Sequence, residues 1–289
     1  MASMRDIKRR RNSISSTQQI TKAMKLVSTV KLQKARTRAE SSKAYFNCMY
    51  ETVSSMLATT GSIQHPYLQT REVKKIGVVV VTSNRGLAGG YNSNVTKLIT
   101  GSQWKKEDVR IYAVGKKGAD SLGSKGYEVV QNYSEIIEEP TYGDAQTIGN
   151  QLLTDFANGE IDEIYLAYTF FKNTVSHIPT LMKLLPVEVN NDEADSKEGA
   201  LKDNTPMNFE PSPEEALGLL VPKYITSLLY GAFVEAVASE NGARMAAMDN
   251  ATNNADEMID DLALKYNRAR QGAITQELTE IIAGAEAIN

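Results

Sequence analysis

The sequence predicts an α/β protein in which a long antiparallel coiled coil of the amino- and carboxyl-terminal helices accompanies a central Rossmann-like α/β domain. Two observations lead to this prediction. All eight prolines of the 289-residue chain lie between Pro66 and Pro222, so both ends lack the strongest helix breaker. Between the ends, short β-branched runs alternate with helix-like stretches, which is the pattern of a mainly parallel sheet with crossover helices.

The carboxyl-terminal helix is predicted over residues 212–289. Ser212 supplies an N-cap, Pro213 a first-turn proline and Glu215 the acid of a capping box, whereas Pro222 is expected to kink the helix early. An apolar stripe then steps by 4, 4, 3, 4, 4, 3 and 4 residues through Ala247, Ala251, Ala255, Met258, Leu262, Tyr266, Ala269 and Ala273. This eleven-residue rhythm predicts a straight or slightly right-handed helix.

The amino-terminal helix is predicted over residues 1–65, with Ile20, Ala23, Val27 and Val30 as its buried stripe. The first 38 residues contain eleven Lys or Arg and one acid, whereas residues 249–289 contain eight acids. The two ends are therefore electrostatic complements, which favours an antiparallel pair with basic side chains beside Asp256, Glu257 and Asp260.

The central α/β domain is predicted over residues 73–189. Its strands begin with KKIGVVVVTS and continue through VRIYAV, YEVVQ and EIYLAYT, with helices at about 92–102, 116–124 and 143–157. A short turn leads into VSHIPTLMKLLP, which is expected to be an antiparallel last strand. Residues 190–211 are an acidic loop and linker, of which 190–206 are polar and aperiodic and predict a mobile surface loop.

No catalytic, cofactor or metal site is predicted. The turn TSNRGLAGGYN follows the first strand, but its glycines do not give G-x-G-x-x-G, and the chain has no G-K-[ST]. Glycine there, and in GKKG at 115–118, is explained by the backbone needs of a strand-to-helix turn. His65 and His177 have no partner at a ligand or relay spacing, and no G-x-S-x-G elbow exists.

Composition limits the compartment and the partners. With 42% hydrophobic and 23% charged residues and a net charge of −3, the chain is globular and not a strongly basic nucleic-acid binder. Cys48 is the single cysteine, predicted as a half-buried helix residue, so a disulfide framework is excluded. No secretory signal follows the basic cluster at residues 8–11, and no apolar run approaches the ~20 residues of a membrane span. Membrane association would therefore go through partners.

The closing segment ITQELTEIIAGAEA, residues 274–287, resembles the signature of the gamma subunits of F-type ATP synthases, in which a Thr, two acids and a Gly-Ala pair recur at these offsets. Residues 244–271 resemble the family's carboxyl helix, KRRRNSISSTQQITKAMKLVS its amino helix, and TSNRGLAGGYN its central-domain turn. The resemblance covers essentially the whole chain in order. The chain departs from the family pattern at Arg11, Asn241 and Gly242.

The resemblance implies a non-catalytic rotor shaft of the bacterial type, without a cofactor. Its paired helices would enter a hexamer of alternating alpha and beta subunits, and the α/β domain would meet the epsilon subunit and the membrane c-ring. Rotation would couple a flow of protons or sodium ions to ATP synthesis or hydrolysis, at the cytoplasmic face of the bacterial cell membrane. Two other classes remain open: an α/β enzyme with helical arms, which would bind a nucleotide or metabolite saturably, and a helical nucleic-acid binder, whose binding would fall steeply with salt.

The resemblance also implies a set of residues that touch the surrounding stator. On the amino helix these are Met24 and Lys25, and on the carboxyl helix they are Arg270, Gln271, Thr275, Gln276 and Glu277. Structural alternatives exist for several of them, because Met24 and Thr275 are compatible with packing between the helices, and Lys25 and Glu277 with solvated charges.

Overall fold

The computed structural model describes residues 4–59, 65–69, 71–174, 176–187 and 212–286. The chain divides into two compact units. Met1–Thr29 with Arg244–Asn289 form the helical-pair unit, and Val30–Ala243 form the sheet unit. The predicted acidic loop at 190–206 lies outside the described residues.

The described elements follow the order that the sequence predicts. The α-helices are α1 Met4–Thr59, α2 Tyr91–Thr100, α3 Lys116–Gly123, α4 Tyr142–Ala157 and α5 Pro213–Glu286. The strands are β1 Ile76–Val81, β2 Val109–Val114, β3 Glu128–Asn132, β4 Glu163–Phe171 and β5 His177–Leu185. Single turns of 3₁₀ helix lie at Lys106–Asp108 and Ile136–Glu138.

The five strands form one sheet with the order β3-β2-β1-β4-β5. Strands β1 to β4 run parallel, and β5 pairs with β4 in the antiparallel direction. The prediction of an antiparallel last strand is therefore confirmed. A strand order that places β1 in the middle, with a crossover on each side of it, is that of a Rossmann-like sheet.

Both faces of the sheet are covered. On one face, the valines and the aromatic residues of β1 and β2 pack with α4, with the last turns of α1 and with the first part of α5, around Phe156, Ile225 and Phe233. On the other face, Val78 and Val80 pack against α2 and α3. Because β1 is buried along its whole length, its sequence is a continuous apolar run without alternation.

Helix α5 begins where the sequence predicts. The backbone N–H of Glu215 donates to the Ser212 hydroxyl over 3.2 Å, so Ser212 is the N-cap. The helix continues through Pro222 without a break, and the Thr226 hydroxyl donates to the Pro222 carbonyl over 2.8 Å. This is a bond from a hydroxyl to the carbonyl four residues earlier, and it does not replace the one that Pro222, which has no N–H, cannot donate to the Gly218 carbonyl.

In the helical-pair unit, seven of the eight residues of the predicted apolar stripe on α5 are partly or fully buried. Partly or fully buried residues on α5 recur in alternating steps of 3 and 4, through Met245, Met248, Thr252, Ala255, Ile259, Leu262, Tyr266, Ala269 and Ala273. Met258, a member of the predicted stripe, is 45% exposed. The 3-and-4 series includes Met248, Thr252 and Ile259, whereas the predicted stripe has Ala247, Ala251 and Met258. Ala247 and Ala251 are partly buried as well, so Met258 is the one member of the predicted stripe that is exposed.

The predicted stripe on α1 is wrong. Ile20, Val27 and Val30 are about three-fifths exposed, and Ala23 is exposed as well. The residues that pack are on the opposite face, again in steps of 3 and 4: Ile7, Arg11, Ile14, Gln18, Thr21, Lys25 and Ser28. Both faces have heptad spacing, and the packed face, which is mostly polar but includes Ile7 and Ile14, is the one with complementary partners on α5.

Candidate functional site

The seam of the helical-pair unit is held by polar contacts. Lys25 Nζ lies 2.6 Å from Asp249 Oδ1, and the hydroxyls of Thr21 and Thr252 are 2.8 Å apart. The Gln18 amide donates to the Asp256 carboxylate. Because these three contacts pair residues at decreasing positions on α1 with increasing positions on α5, the helices are antiparallel, as predicted.

Charge complementarity acts at a different place from the one predicted. Among the contacts of the described residues, Lys25 pairs with Asp249 across the seam, whereas Asp256 accepts from an amide. Farther along, the Arg11 guanidinium lies 5.9 Å above the Tyr266 ring. Arg11 departs from the family pattern, and this cation–π contact gives the charge a place within the seam.

Met24 and Lys25 lie near this seam. Met24 is partly buried at the flank of α1, and Lys25 is engaged by Asp249 while its side chain remains 39% exposed. An ion pair at this exposure contributes at most about 1 kcal/mol to stability, so Lys25 is not locked in place.

The predicted residues on α5 lie much farther along the pair. Arg270 is roughly 20 residues beyond Asp249, a distance of about 30 Å at the helical rise. Arg270, Gln271 and Glu277 are exposed. Two contacts stay within the helix: the Thr275 hydroxyl donates to the Gln271 carbonyl over 2.9 Å, and the Gln276 amide donates to Glu280 over 2.9 Å. The structure thus separates the seven residues into two groups.

Beyond Ala273, α5 has an exposed apolar tip that the sequence reasoning missed. The antiparallel register places Met4 opposite about residue 270, so residues 274–285 lie past the described start of α1. In this segment Ile274, Leu278, Ile281 and Ile282 are all about half or more exposed. The sequence contains a signal for this exposed tip. The isoleucines and the leucine of the signature segment have no apolar stripe on α1 against which they could be buried.

The turn TSNRGLAGGYN uses its polar groups internally. The Asn92 carboxamide accepts from the Ser83 N–H over 2.9 Å, and the Asn84 carboxamide joins Ser134 to the start of α3. The Gly118 N–H at the first turn of α3 donates to the Thr82 hydroxyl over 2.8 Å. These side chains and amides hold together two strand-to-helix turns, the one between β1 and α2 and the one between β2 and α3.

Gly115 shows why the second of these turns requires glycine. Its φ is +120°, and a Cβ at this position would lie 2.0 Å from the Thr82 carbonyl oxygen. The glycine of GKKG therefore lets two backbone segments approach each other, and the lysines that follow it are exposed.

The deeply buried carboxylate of Asp155 has a structural role. Tyr112 donates to Asp155 Oδ2 over 2.5 Å, and Gln151 donates to the other oxygen over 2.8 Å. Burial and the Asp155 hydrogen bond raise the pKa of the Tyr112 phenol, so it stays a neutral donor. Within the described residues, no cluster of three or more His, Cys, Asp or Glu has an arrangement that would hold a metal ion.

Two features differ from what the sequence predicts, the exposure of Cys48 and the hydropathy of α5, and His177 has a buried contact. The imidazole of His177 packs against Gly242, and burial lowers the pKa of the ring, an effect that a backbone contact at Thr174 partly offsets. Cys48 is exposed on α1, not half-buried. Among the described helices, α5 is long and apolar enough to cross a membrane, but 56% of the stretch in question is buried in the protein, as in a core helix.

Comparison with known proteins gives one family over the whole chain. The family description ATP synthase matches residues 3–288. The ATP synthase gamma chain of Lachnoclostridium phytofermentans is 61% identical over 294 residues, which cover 100% of both chains. That of Alkaliphilus metalliredigens is 47% identical over 285 residues, covering 99% of this chain and 98% of the relative.

Solved structures show the same architecture. A chain from the central stalk and c-ring of the Tetrahymena thermophila mitochondrial ATP synthase superposes with a TM-score of 0.62 at 25% identity, covering 80% of this chain and 99% of that one. A chain of the Euglena gracilis mitochondrial ATP synthase superposes with a TM-score of 0.72 at 19% identity, covering 99% and 94%. With a full-length family match and a relative of 61% identity, the chain belongs to the ATP synthase gamma chains, the non-catalytic central-stalk subunits of F-type ATP synthases.

Proposed function

We propose that the helical-pair unit is the turning part of the shaft, and that its rotation couples ion flow through a membrane ring to ATP synthesis or hydrolysis in an alpha/beta hexamer. The observation that supports this most directly is the inverted polarity of α1. Its polar face is packed in the seam, whereas Ile20, Val27 and Val30 are exposed on the other face. A face of this kind is suited to apolar contact with a surrounding protein.

The seven predicted stator contacts fall into two levels under this proposal. Met24 and Lys25 form a lower level, and Arg270, Gln271, Thr275, Gln276 and Glu277 form an upper level about 30 Å away. The exposed apolar tip at residues 274–285 continues the upper level. Two separated levels resist tilting of the shaft better than one, so torque can be transmitted as rotation.

Coupling requires that the shaft contact the three beta subunits unequally. The helical pair presents different chemistry around its circumference, with an apolar face on α1 and carboxylates such as Glu257 and Asp260 on α5. A partner can shift a conformational equilibrium only through differential contacts, and an asymmetric shaft supplies a different set at each angle.

The partners and the location follow from the same role. The helical-pair unit would lie within the alpha and beta subunits of the head, and the sheet unit would contact the epsilon subunit and the c-ring. The chain would then be a peripheral protein at the cytoplasmic face of the bacterial membrane, held there by the ring.

Met24→Lys tests this role. A flexible thioether can pass successive stator surfaces at similar energy, whereas an ammonium would form an extra ion pair at one angle, worth about 1 kcal/mol or more if partly desolvated. We expect normal assembly and retained ATP hydrolysis, but fewer ions pumped per ATP and a higher activation energy. Hydrolysis and pumping are measured on the same vesicles over a range of temperatures.

Met24→Leu is the matched control, because it conserves volume without adding charge and should leave coupling intact. A proportional fall of hydrolysis and pumping in Met24→Lys would assign the residue to packing or assembly. No change in either activity would remove Met24 from the stator contact.

A further inference from the structure

The chain contains two Asn-Gly dipeptides, and the structure places them in opposite environments. Asn158 and Gly159 follow α4 and are both exposed, whereas Asn241 and Gly242 lie inside α5 and are both buried. Both dipeptides belong to the sheet unit, outside the proposed stator contacts. The same pair of residues is thus present once at a helix end and once in a helix interior.

An asparagine followed by glycine is prone to lose its side-chain amide without an enzyme. The backbone nitrogen of the glycine attacks Cγ of the asparagine, because glycine has no Cβ that hinders this approach. A nitrogen–Cγ bond forms, the Cγ–Nδ2 bond breaks, and ammonia leaves with the proton of the glycine N–H. Water then opens the five-membered imide ring. Opening at Cγ gives aspartate, and opening at the backbone carbonyl carbon gives isoaspartate, in which the main chain runs through Cγ.

At Asn158 the attacking nitrogen is held by the end of a helix. Asn158 is the C-cap of α4, with φ −75° and ψ −7°, and Gly159 follows with φ +73°. The Gly159 N–H donates to the Phe156 carbonyl over 3.2 Å, and the Glu160 N–H donates to the Asp155 carbonyl over 2.9 Å. These two bonds form a Schellman motif. With ψ near zero the Gly159 nitrogen does not face Cγ, so the motif must open before the attack.

Opening of this motif requires little rearrangement. The four residues from Ala157 to Glu160 are all exposed, so their backbone groups can exchange protein partners for water. A Cβ built on Gly159 would meet no atom within 4 Å, so the space beside the glycine is open. Fraying of the last turn of α4 therefore brings the Gly159 nitrogen within reach of Cγ.

At Asn241 the fold blocks the same chemistry. Asn241 is 4% exposed, and its carboxamide nitrogen, which would be the leaving group, donates to the Val237 carbonyl over 2.8 Å. Gly242 lies in the interior of α5, where the helix engages its N–H. His177 packs against it, since a Cβ there would lie 2.6 Å from His177 Cε1. Attack at Asn241 would require the interior of a packed helix to open.

We propose that Asn158 is a spontaneous deamidation site of the folded chain, and that the fold protects Asn241 from the same reaction. The reaction replaces a neutral amide by a carboxylate at the carbonyl end of α4, where the helix dipole is negative. Isoaspartate also inserts a backbone atom into the Schellman motif. The sheet unit therefore acquires one negative charge with age, and this chemistry does not depend on the proposed shaft role.

Ageing of the purified full chain at neutral pH tests the proposal. Samples are digested with pepsin at acid pH, which limits deamidation during digestion, and mass spectrometry follows both dipeptides. We expect deamidation to be at least about tenfold faster at Asn158 than at Asn241, because fraying of a helix end requires much less free energy than opening of a helix interior. In concentrated urea, where both dipeptides are unfolded, the two rates should agree within about threefold.

Asn158→Gln is the matched control, because glutamine keeps a neutral amide but would have to close a six-membered ring. Isoaspartate methyltransferase with labelled S-adenosylmethionine should label the aged chain and leave aged Asn158→Gln nearly unlabelled. Equal rates at Asn158 and Asn241 in the folded chain overturn the proposal. The absence of reaction at Asn158 over a period in which the urea-unfolded chain reacts overturns it as well, because the Schellman motif would then be sufficient protection.

Discussion

Gly242 on α5 is a position where a substitution by alanine tests how tightly the sheet unit is packed. In Gly242→Ala the new Cβ would lie 2.6 Å from His177 Cε1 and 3.1 Å from His177 Nε2. A separation of 2.6 Å is well inside van der Waals contact. The imidazole, at the start of β5, must therefore move away from the helix.

Two opposing contributions set the magnitude. Alanine favours a helix interior over glycine by about 1 kcal/mol, whereas overpacking a buried contact costs about 1–3 kcal/mol. We expect the free energy of unfolding of Gly242→Ala to fall by roughly 1 kcal/mol. When His177→Ala is also present the clash is gone, so the same Gly242→Ala change should stabilise by up to about 1 kcal/mol.

Chemical denaturation of the four proteins of this cycle measures the effect. Gly231→Ala is the matched control, because it lies on the same helix and a Cβ there meets nothing within 4 Å. It should stabilise in either background. If Gly242→Ala stabilises the chain equally with His177 present and absent, the imidazole does not press on the helix and the reasoning is refuted.

Four further outcomes are expected. Arg270→Ala with Gln271→Ala should lower ATP turnover of the assembled complex and leave the melting temperature of the free chain unchanged. The control, Asn267→Ala with Arg268→Ala, should leave both quantities unchanged. Unchanged turnover in the first variant rejects the stator contact of Arg270 and Gln271. Gly115→Ala should cost more than about 3 kcal/mol or prevent folding, because its Cβ meets a carbonyl; a melting temperature within a few degrees of the parent contradicts this. Burial lowers the pKa of His177, so as the pH falls the unfolded chain takes up a proton before the folded chain does. The free energy of unfolding should therefore fall as the pH drops below about 6.5, and it should fall less in His177→Gln. Parallel pH profiles of the two proteins refute this role of His177. Titration calorimetry of the free chain with Mg-ATP should give no one-site isotherm, because the turn TSNRGLAGGYN uses its polar groups internally.

The sheet unit was predictable because its signals are local. Strands β1, β2 and β4 are short runs rich in β-branched and aromatic residues, and helices α2, α3 and α4 begin after Gly90, Gly115 and Thr141, the last with a capping box to Asp144. The antiparallel last strand follows from a connection too short for a crossover helix. Contacts between residues that are distant in sequence, such as His177 with Gly242, could not be predicted, because no local pattern indicates them.

The residues of the seam were harder to predict. The spacing of residues along a helix shows which residues share a face, but it does not show which face packs against another helix. On α1, Ile20, Ala23, Val27 and Val30 have the 3-4-3 spacing of a buried stripe, and so does the opposite, polar face. Burial of apolar area favours the first face, which is why the sequence predicts that this face is buried. The polar face is nevertheless the packed one, with its contacts to Asp249, Thr252 and Asp256.

This inversion is what distinguishes a subunit from a free-standing domain. A polar seam can hold two helices in register at modest stability, since specific hydrogen bonds and an ion pair tolerate no slip by one residue. Moving Ile20, Val27 and Val30 out of the seam removes apolar burial from the isolated chain and makes the same area available to a partner. The apolar tip at residues 274–285 has the same property, because α1 supplies no described residue to cover it. Under the proposed function, the apolar faces left open at two levels would contact other subunits. A folding argument confined to this one chain has no such partner and therefore selects the wrong face.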